Sequence, residues 1–285
     1  MYLMDYHFSP EEFFAFSLRD IYSRQGYSLF RMSRFEEYDF YAGAKDFLTS
    51  KHVLTFSNPD GRLMALRPDV TLSIIRNIKD IHQLHKFYYD EKVYRVPHGA
   101  DAFREIPQTG IECIGPLGLD DIKEVIALAL ETLCVIAGGR RYVLDAAHAG
   151  LVASLVNGDK GGEILKCLCA KNVHGLRTLN ADERLIRLAE IPNNLEALSE
   201  FDEDTEELMK FFSEEFGQNF RVDFSTVNNL NYYNGLVFRG FVEGLPEAVL
   251  SGGQYDGLLE ARGLAGCHGV GFAVNLSLVR RLEHD

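Results

Sequence analysis

The run YRVPHGADAFREIPQTGIECIG (94–115) decides the fold. Its second half, Ile106 to Gly115, has strand character, and a repeat of two puts Gln108, Gly110 and Glu112 on one face. A carboxamide, a gap and a carboxylate therefore point the same way. Just upstream, KFYYD (86–90) and KVYRV (92–96) alternate as two more strands, with a loop between Arg95 and Gln108.

Towards the N-terminus, Ser9-Pro10-Glu11-Glu12 carries the marks of a helix start: a capping serine, a proline in the first turn and a glutamate closing the box. Phe14, Leu18, Ile21 and Tyr22 then share one face, and Gly26 ends the run. VLTFS (53–57) and RLMALR (62–67) flank Asn58-Pro59-Asp60-Gly61 and predict a hairpin, followed by a short helix from Val70 to Ile78. Towards the C-terminus, Asp121 and Glu124 box the start of a helix stopped by Gly138-Gly139, and YVLDAA (142–147) is a strand. Residues 148–218 read as helices without strong strands. Strands return at FRVDFSTV (220–227), YYNGLVFRGFV (232–242) and GVGFAVNL (269–276), before a short final helix. The expected fold is α+β: a mostly antiparallel sheet flanked by helices, built from residues 1–147 and 219–285, with a helical insertion at 148–218.

The chain has 285 residues, 46% hydrophobic and 25% charged, the composition of a globular protein rather than a disordered or fibrous one. Its formal net charge of −13 disfavours nucleic acid as a partner. Residues 181–216 hold twelve acids against three bases, which reads as a solvated helical face or a docking surface for a basic partner. Cys113, Cys134, Cys167, Cys169 and Cys267 form no disulfide framework, and Cys167-Leu168-Cys169 lacks a second pair at zinc spacing. A reducing cytoplasm, no bound metal and no cofactor are expected. No basic and apolar leader opens the chain and no apolar run is long enough for a membrane span.

Five strings, in order, resemble the catalytic core of class II histidyl-tRNA synthetases. LRPDVT (66–71) is similar to that family's LRPEGT, and the 94–115 run to its motif 2. LNYYNGLVF (230–238) resembles the histidine-specific LDYYT-VF signature, SGGQYDGL (251–258) resembles GGRYDGL, and VGFAVNL (270–276) the opening of motif 3. The resemblance implies an amino-acid pocket. In it Asp69, Thr71 and Gln108 would hold an α-amino group, Glu112 and Tyr233 would read an imidazole, and Arg95, Tyr232 and Tyr255 would complete the lining. Taken singly each has a structural alternative: Asp69 as a helix cap, Glu112 as a partner of Arg95 or Arg104, the tyrosines as core.

The departures bear on chemistry. Where the family has the Arg-Gly that precedes its signature, this chain has Asn228-Asn229, and where motif 3 has Glu-Arg it has Ser277-Leu278. Neutral side chains cannot supply the fixed positive charge that phosphoryl transfer requires. Arg280 and Arg281 are out of register, and no substitute cation stands at the right place in the sequence. SRFE (33–36) puts Ser33 at the motif 1 proline, and with the sequence ending shortly after motif 3 no anticodon-binding domain is expected.

In these departures the chain resembles the regulatory subunits of ATP phosphoribosyltransferase, a family of synthetase paralogues that also lacks the anticodon domain and carries the eroded arginines. That resemblance implies a non-catalytic chain that supports the first step of histidine biosynthesis. It would work with a short-form catalytic subunit, as a dimer within a hetero-octamer, and transmit feedback inhibition by L-histidine. The alternatives are a free-standing histidine-activating enzyme or synthetase core fragment, and a scaffold without a ligand.

Overall fold

A computed structural model describes residues 8–43, 48, 53–96, 101–156, 158–190, 203–227, 230 and 232–283. The fold is organised by one long hairpin, β5 (His85–Arg95) and β6 (Arg104–Gly115), paired in register from His85↔Ile114 to Arg95↔Arg104. The sequence suggested two strands in place of β5, broken between Asp90 and Lys92. The ladder runs through because each acid at the expected break has an arginine: Arg19 binds Asp90 at 2.9 Å and Arg67 binds Glu91 at 2.7 Å.

Around this hairpin assembles an eight-stranded sheet in the order β1-β5-β6-β11-β10-β9-β7-β8. Its other strands are β1 (Ser28–Leu29), β7 (Tyr142–His148), β8 (Phe220–Val222), β9 (Leu236–Val242), β10 (Leu250–Gln254) and β11 (His268–Asn275). Only the edge pairs β1/β5 and β7/β8 are parallel, so the mostly antiparallel α+β reading holds. A small antiparallel sheet, β2 (Phe35–Glu37), β4 (Leu63–Leu66) and β3 (Thr55–Ser57), contains the expected hairpin, whose turn is tied by Asn58 Oδ1 accepting from the Arg62 N–H at 2.8 Å.

Alternation gives the large sheet two different faces. Ile111, Cys113, Phe272, Val274 and Leu144 point to one side, beneath α1 (Pro10–Arg24) and α4 (Leu119–Ala137). The predicted capping box opens α1: the Glu12 N–H donates to Ser9 Oγ while Glu12 accepts from the Ser9 N–H. In α4 the box is displaced. The helix begins at Leu119, Asp121 accepts from the Gly118 N–H at 2.8 Å, and Glu124 instead binds Lys86 across to β5. On the opposite face, Ile106 and Ile114 pack with α2 (Tyr38–Ala42) and α3 (Val70–Asn77) in a second buried cluster.

Between β7 and β8 run α5 (Ala149–Leu155), α6 (Gly161–Cys169), α7 (Val173–Thr178), α8 (Glu183–Glu190) and α9 (Glu203–Phe216). Their buried residues, among them Val152, Leu168, Leu176 and Leu185, share one cluster with the sheet and α4. Most of the central acidic stretch, residues 191–202, lies outside the described residues. The chain closes with α10 (Asp256–Glu260), α11 (Leu276–Val279) and a single 3₁₀ turn.

Two expected strands are shorter than read. FRVDFSTV is a strand only to Val222, because the Asp223 carboxylate accepts from the Ser225 N–H and folds 224–226 into a 3₁₀ turn. The 232–242 run becomes strand at Leu236, whose N–H donates to Gln254 Oε1. The sequence predicts no strand at β10, since SGGQ has almost no strand propensity. Its glycine is required by packing: a Cβ on Gly252 would come within 2.3 Å of the Gly271 carbonyl and 2.6 Å of Phe272.

Candidate functional site

The second face of the sheet is open where β6, β11, β10 and β9 adjoin α3, and there it forms a cavity of about 200 Å³. All eight residues singled out in the sequence line it: Asp69, Thr71, Arg95, Gln108, Glu112, Tyr232, Tyr233 and Tyr255. Gln108 and Glu112 come from alternate positions of β6, as the repeat of two requires. Asp69 and Thr71 come from the start of α3.

Glu112 is the centre of the site. It is 2% exposed, Thr71 Oγ1 donates to its Oε1 at 2.5 Å, and the Tyr255 hydroxyl donates to its Oε2. Its partners are hydroxyls, not Arg95 or Arg104; the latter is exposed at the end of the hairpin. Burial pushes the Glu112 carboxyl up to about 8, against the lowering effect of the Thr71 and Tyr255 hydrogen bonds, with nearby Asp69 adding to the rise.

Asp69 is a helix cap that also faces the cavity. One carboxylate oxygen accepts from the Leu72 N–H at 2.9 Å and caps α3, while the side chain also forms cavity wall. Burial raises its pKa, and the Leu72 hydrogen bond and the Arg95 charge oppose the rise. Gln108 is 7% exposed and, among the described residues, its amide makes no hydrogen bond. A buried, unpartnered carboxamide facing a cavity is a ready acceptor or donor for a ligand.

The aromatic wall is built from Tyr232, Tyr233 and Tyr255. Tyr232 lies edge-on to Tyr233, ring centroids 4.8 Å apart, and 6.3 Å from Tyr255. Burial holds all three hydroxyls well above the usual tyrosine range, so they act as neutral donors. Tyr89, from β5, completes this wall; sequence reading missed it, although its position in KFYYD faces the same side of the sheet.

The motif 3 positions supply no cation to the cavity. Leu278 is buried in the apolar cluster, and Arg280 pairs with Glu11 of α1 at 2.5 Å. Asn228 and Asn229 lie outside the described residues. Sequence reading found no replacement cation, yet Arg239 of β9 lines the cavity. Its alternation with Val237 is the signal in the sequence for its face, while its register opposite Ser251 exists only in the fold.

Other features fall elsewhere. Glu36, in the SRFE string, is buried and accepts from Ser73 Oγ at 2.8 Å and from the Tyr41 hydroxyl. All five cysteines are free thiols, and Cys169 Sγ donates to the Val227 carbonyl. Among the described residues no group of three or more His, Cys, Asp or Glu side chains is placed to hold a metal, and no helix is long and apolar enough to cross a membrane.

This sheet, with motif 2 as its long hairpin and a buried glutamate between motif 2 and motif 3 strands, is the class II aminoacyl-tRNA synthetase core. The family model described as Histidyl-tRNA synthetase matches residues 8–279. The ATP phosphoribosyltransferase regulatory subunit of Caldanaerobacter subterraneus subsp. tengcongensis is 30% identical, over 95% of this chain and 79% of that one. The chain belongs to the histidyl-tRNA synthetase family and, within it, to the ATP phosphoribosyltransferase regulatory subunits. The fold agrees with solved structures. An ATP phosphoribosyltransferase regulatory subunit/histidyl-tRNA synthetase from Bacillus halodurans C has a TM-score of 0.79 at 24% identity, covering 98% of this chain and 83% of that one. A chain of the ATP phosphoribosyl transferase (HisG:HisZ) complex from Thermotoga maritima has a TM-score of 0.73 at 22% identity, covering 93% and 97%.

Proposed function

We propose that this chain is a non-catalytic subunit that binds L-histidine in the cavity around Glu112 and carries that signal to a short-form catalytic ATP phosphoribosyltransferase subunit. The observation that supports it most is the buried Glu112 carboxyl, held by Thr71 and Tyr255 beside Asp69 and the unpartnered Gln108. An imidazole N–H needs a buried acceptor, and an ammonium group needs carboxylate and amide oxygens around it. Asp69, Thr71 and Gln108 hold the ammonium, Glu112 and Tyr233 read the ring, and Arg95, Tyr232 and Tyr255 close the pocket.

The buried Leu278 argues against an adenylating enzyme, because the position expected to grip a triphosphate holds an aliphatic side chain in the core. In this reading residues 148–218 are a helical insertion in a core made of 1–147 and 219–285, and the subunit works in the cytoplasm. It pairs with itself inside a hetero-octamer, where ligand binding favours one state of the assembly over another.

Titration calorimetry of the purified chain with histidine, with and without ATP and magnesium, tests this. The expected result is binding unaffected by ATP, no pyrophosphate release, and an affinity that changes when the catalytic subunit is added. Histidine-dependent pyrophosphate release, or no histidine binding in either condition, overturns the proposal.

A further inference from the structure

The acid end of the cavity accounts for two of the three groups of a histidine zwitterion. Asp69, Gln108 and Glu112 can accept from an ammonium and an imidazole, but the α-carboxylate needs donors. Arg95 and Arg239 are the arginines among the cavity-lining residues.

Arg239 has the placement and the freedom for this. In register, Gly110 of β6 faces Ala273 of β11, Ala273 faces Ser251 of β10, and Ser251 faces Arg239 of β9. Successive strands lie about 4.8 Å apart, so Arg239 starts roughly 14 Å from the β6 backbone. Along this row the strands contribute a glycine, an alanine and a serine, with the Tyr89 ring lying over Gly110. With small residues at Ser251 and Ala273, a long side chain at the far edge of this row can reach back towards a ligand whose ring is held at Glu112.

Nothing in the described protein uses up its charge. Among the described residues the Arg239 guanidinium makes no ion pair or hydrogen bond, and it lies 5.5 Å from the centre of the Phe241 ring. The carboxylate nearest in register is Asp145 of β7, and Arg221 already binds both of its oxygens, at 2.8 and 2.6 Å. Tyr233, which lines the same cavity, lies within the positive fields of both Arg95 and Arg239.

We propose that Arg239 is the residue that selects for a ligand carboxylate, forming with Arg95 an oxyanion subsite at the β9 side of the cavity. This rests on the histidine pocket proposed above and adds a specificity determinant to it. A guanidinium over a floor of small residues also fits a phosphoryl oxygen, so the test separates the two sources.

The experiment is calorimetric titration of the parent, Arg239→Gln and Glu112→Ala chains, each checked for an unchanged circular dichroism spectrum. The probes are histidine, histidinol, whose carboxylate is replaced by a hydroxymethyl group, and inorganic phosphate. The expected result is at least a tenfold loss of histidine affinity in Arg239→Gln with histidinol affinity unchanged, and no competition from phosphate. Equal loss for histidine and histidinol overturns the proposal. So does histidine binding retained in Arg239→Gln but lost in Glu112→Ala, an outcome that leaves the pocket itself standing. Histidine binding untouched by both variants overturns the pocket along with the subsite. Phosphate that competes with histidine, and stops doing so in Arg239→Gln, overturns the carboxylate assignment in favour of a phosphoryl group.

Discussion

Glu112 and Gly271 stand directly opposite each other across β6 and β11, and a methyl group on residue 271 would come within 2.1 Å of Glu112 Oε2. The glycine is thus the space into which the buried carboxylate fits. It also allows the strand to approach the Ile111 carbonyl, which would be 2.4 Å from the same methyl group.

Gly271→Ala is therefore expected to disturb the site and the sheet together. Overfilling such a position costs about 1–3 kcal/mol. Histidine affinity is expected to fall by more than stability would explain, because Glu112 is pushed off Thr71 and Tyr255. Calorimetric titration beside a urea unfolding curve separates the effects; unchanged binding would show that the carboxylate has room elsewhere.

Glu112 also predicts a dependence of stability on pH. Its carboxyl is raised from 4.5 to about 8, so between these values the folded chain keeps a proton that the unfolded chain has released. The unfolded state then binds fewer protons, and stability falls as pH rises through this window and levels off above it. Glu112→Gln stays neutral throughout, so the parent should lose ground to the variant by up to a few kcal/mol between pH 5 and pH 8. Urea unfolding of both chains across that range measures it, and a difference that does not change with pH refutes the assignment.

The helix cap made by Asp69 and its proposed ligand contact can be separated by substitution. Asparagine caps helices about as well as aspartate, so Asp69→Asn is expected to stay within about 0.5 kcal/mol of the parent while binding histidine at least tenfold more weakly. Asp69→Ala loses the Leu72 cap as well and should cost about 1 kcal/mol. If Asp69→Asn binds histidine as the parent does, the residue is a cap alone.

Arg67, which does not line the cavity, predicts a large effect on stability. Its guanidinium is fully buried and bound by Glu91 at 2.7 Å, the Lys92 carbonyl at 2.9 Å and the Ser33 carbonyl at 3.0 Å. Arg67→Ala leaves Glu91 without its cation in a mostly buried position and is expected to cost about 3–5 kcal/mol. The pair Arg67→Met with Glu91→Gln should recover part of that loss in denaturant unfolding. Equal stability of the single and double variants would show that the charges are not coupled.

Much of the architecture was legible because it depends on local pattern. The Ser9 box, the 55–66 hairpin, α3 and the alternation that aims Gln108 and Glu112 together are set by residues within a few positions of one another. The elements misread depend on distant partners. β5 is continuous because Arg19 and Arg67 neutralise its acids, and SGGQ is a strand because Phe238 and Phe272 leave room only for glycine there.

The candidate site divides in the same way. Its eight residues were named from ordered strings, since the chemistry of each type and its place in a motif are written in the chain. What only the tertiary structure decided is how they share work: Thr71 and Tyr255 hold Glu112, Asp69 caps α3 while facing the cavity, and Arg239 looks onto it across three strands. Period and propensity act over a few residues, so the sequence alone determined which face each side chain takes. Charge balance and steric room act through space, and they exist only once strands far apart in the chain lie side by side.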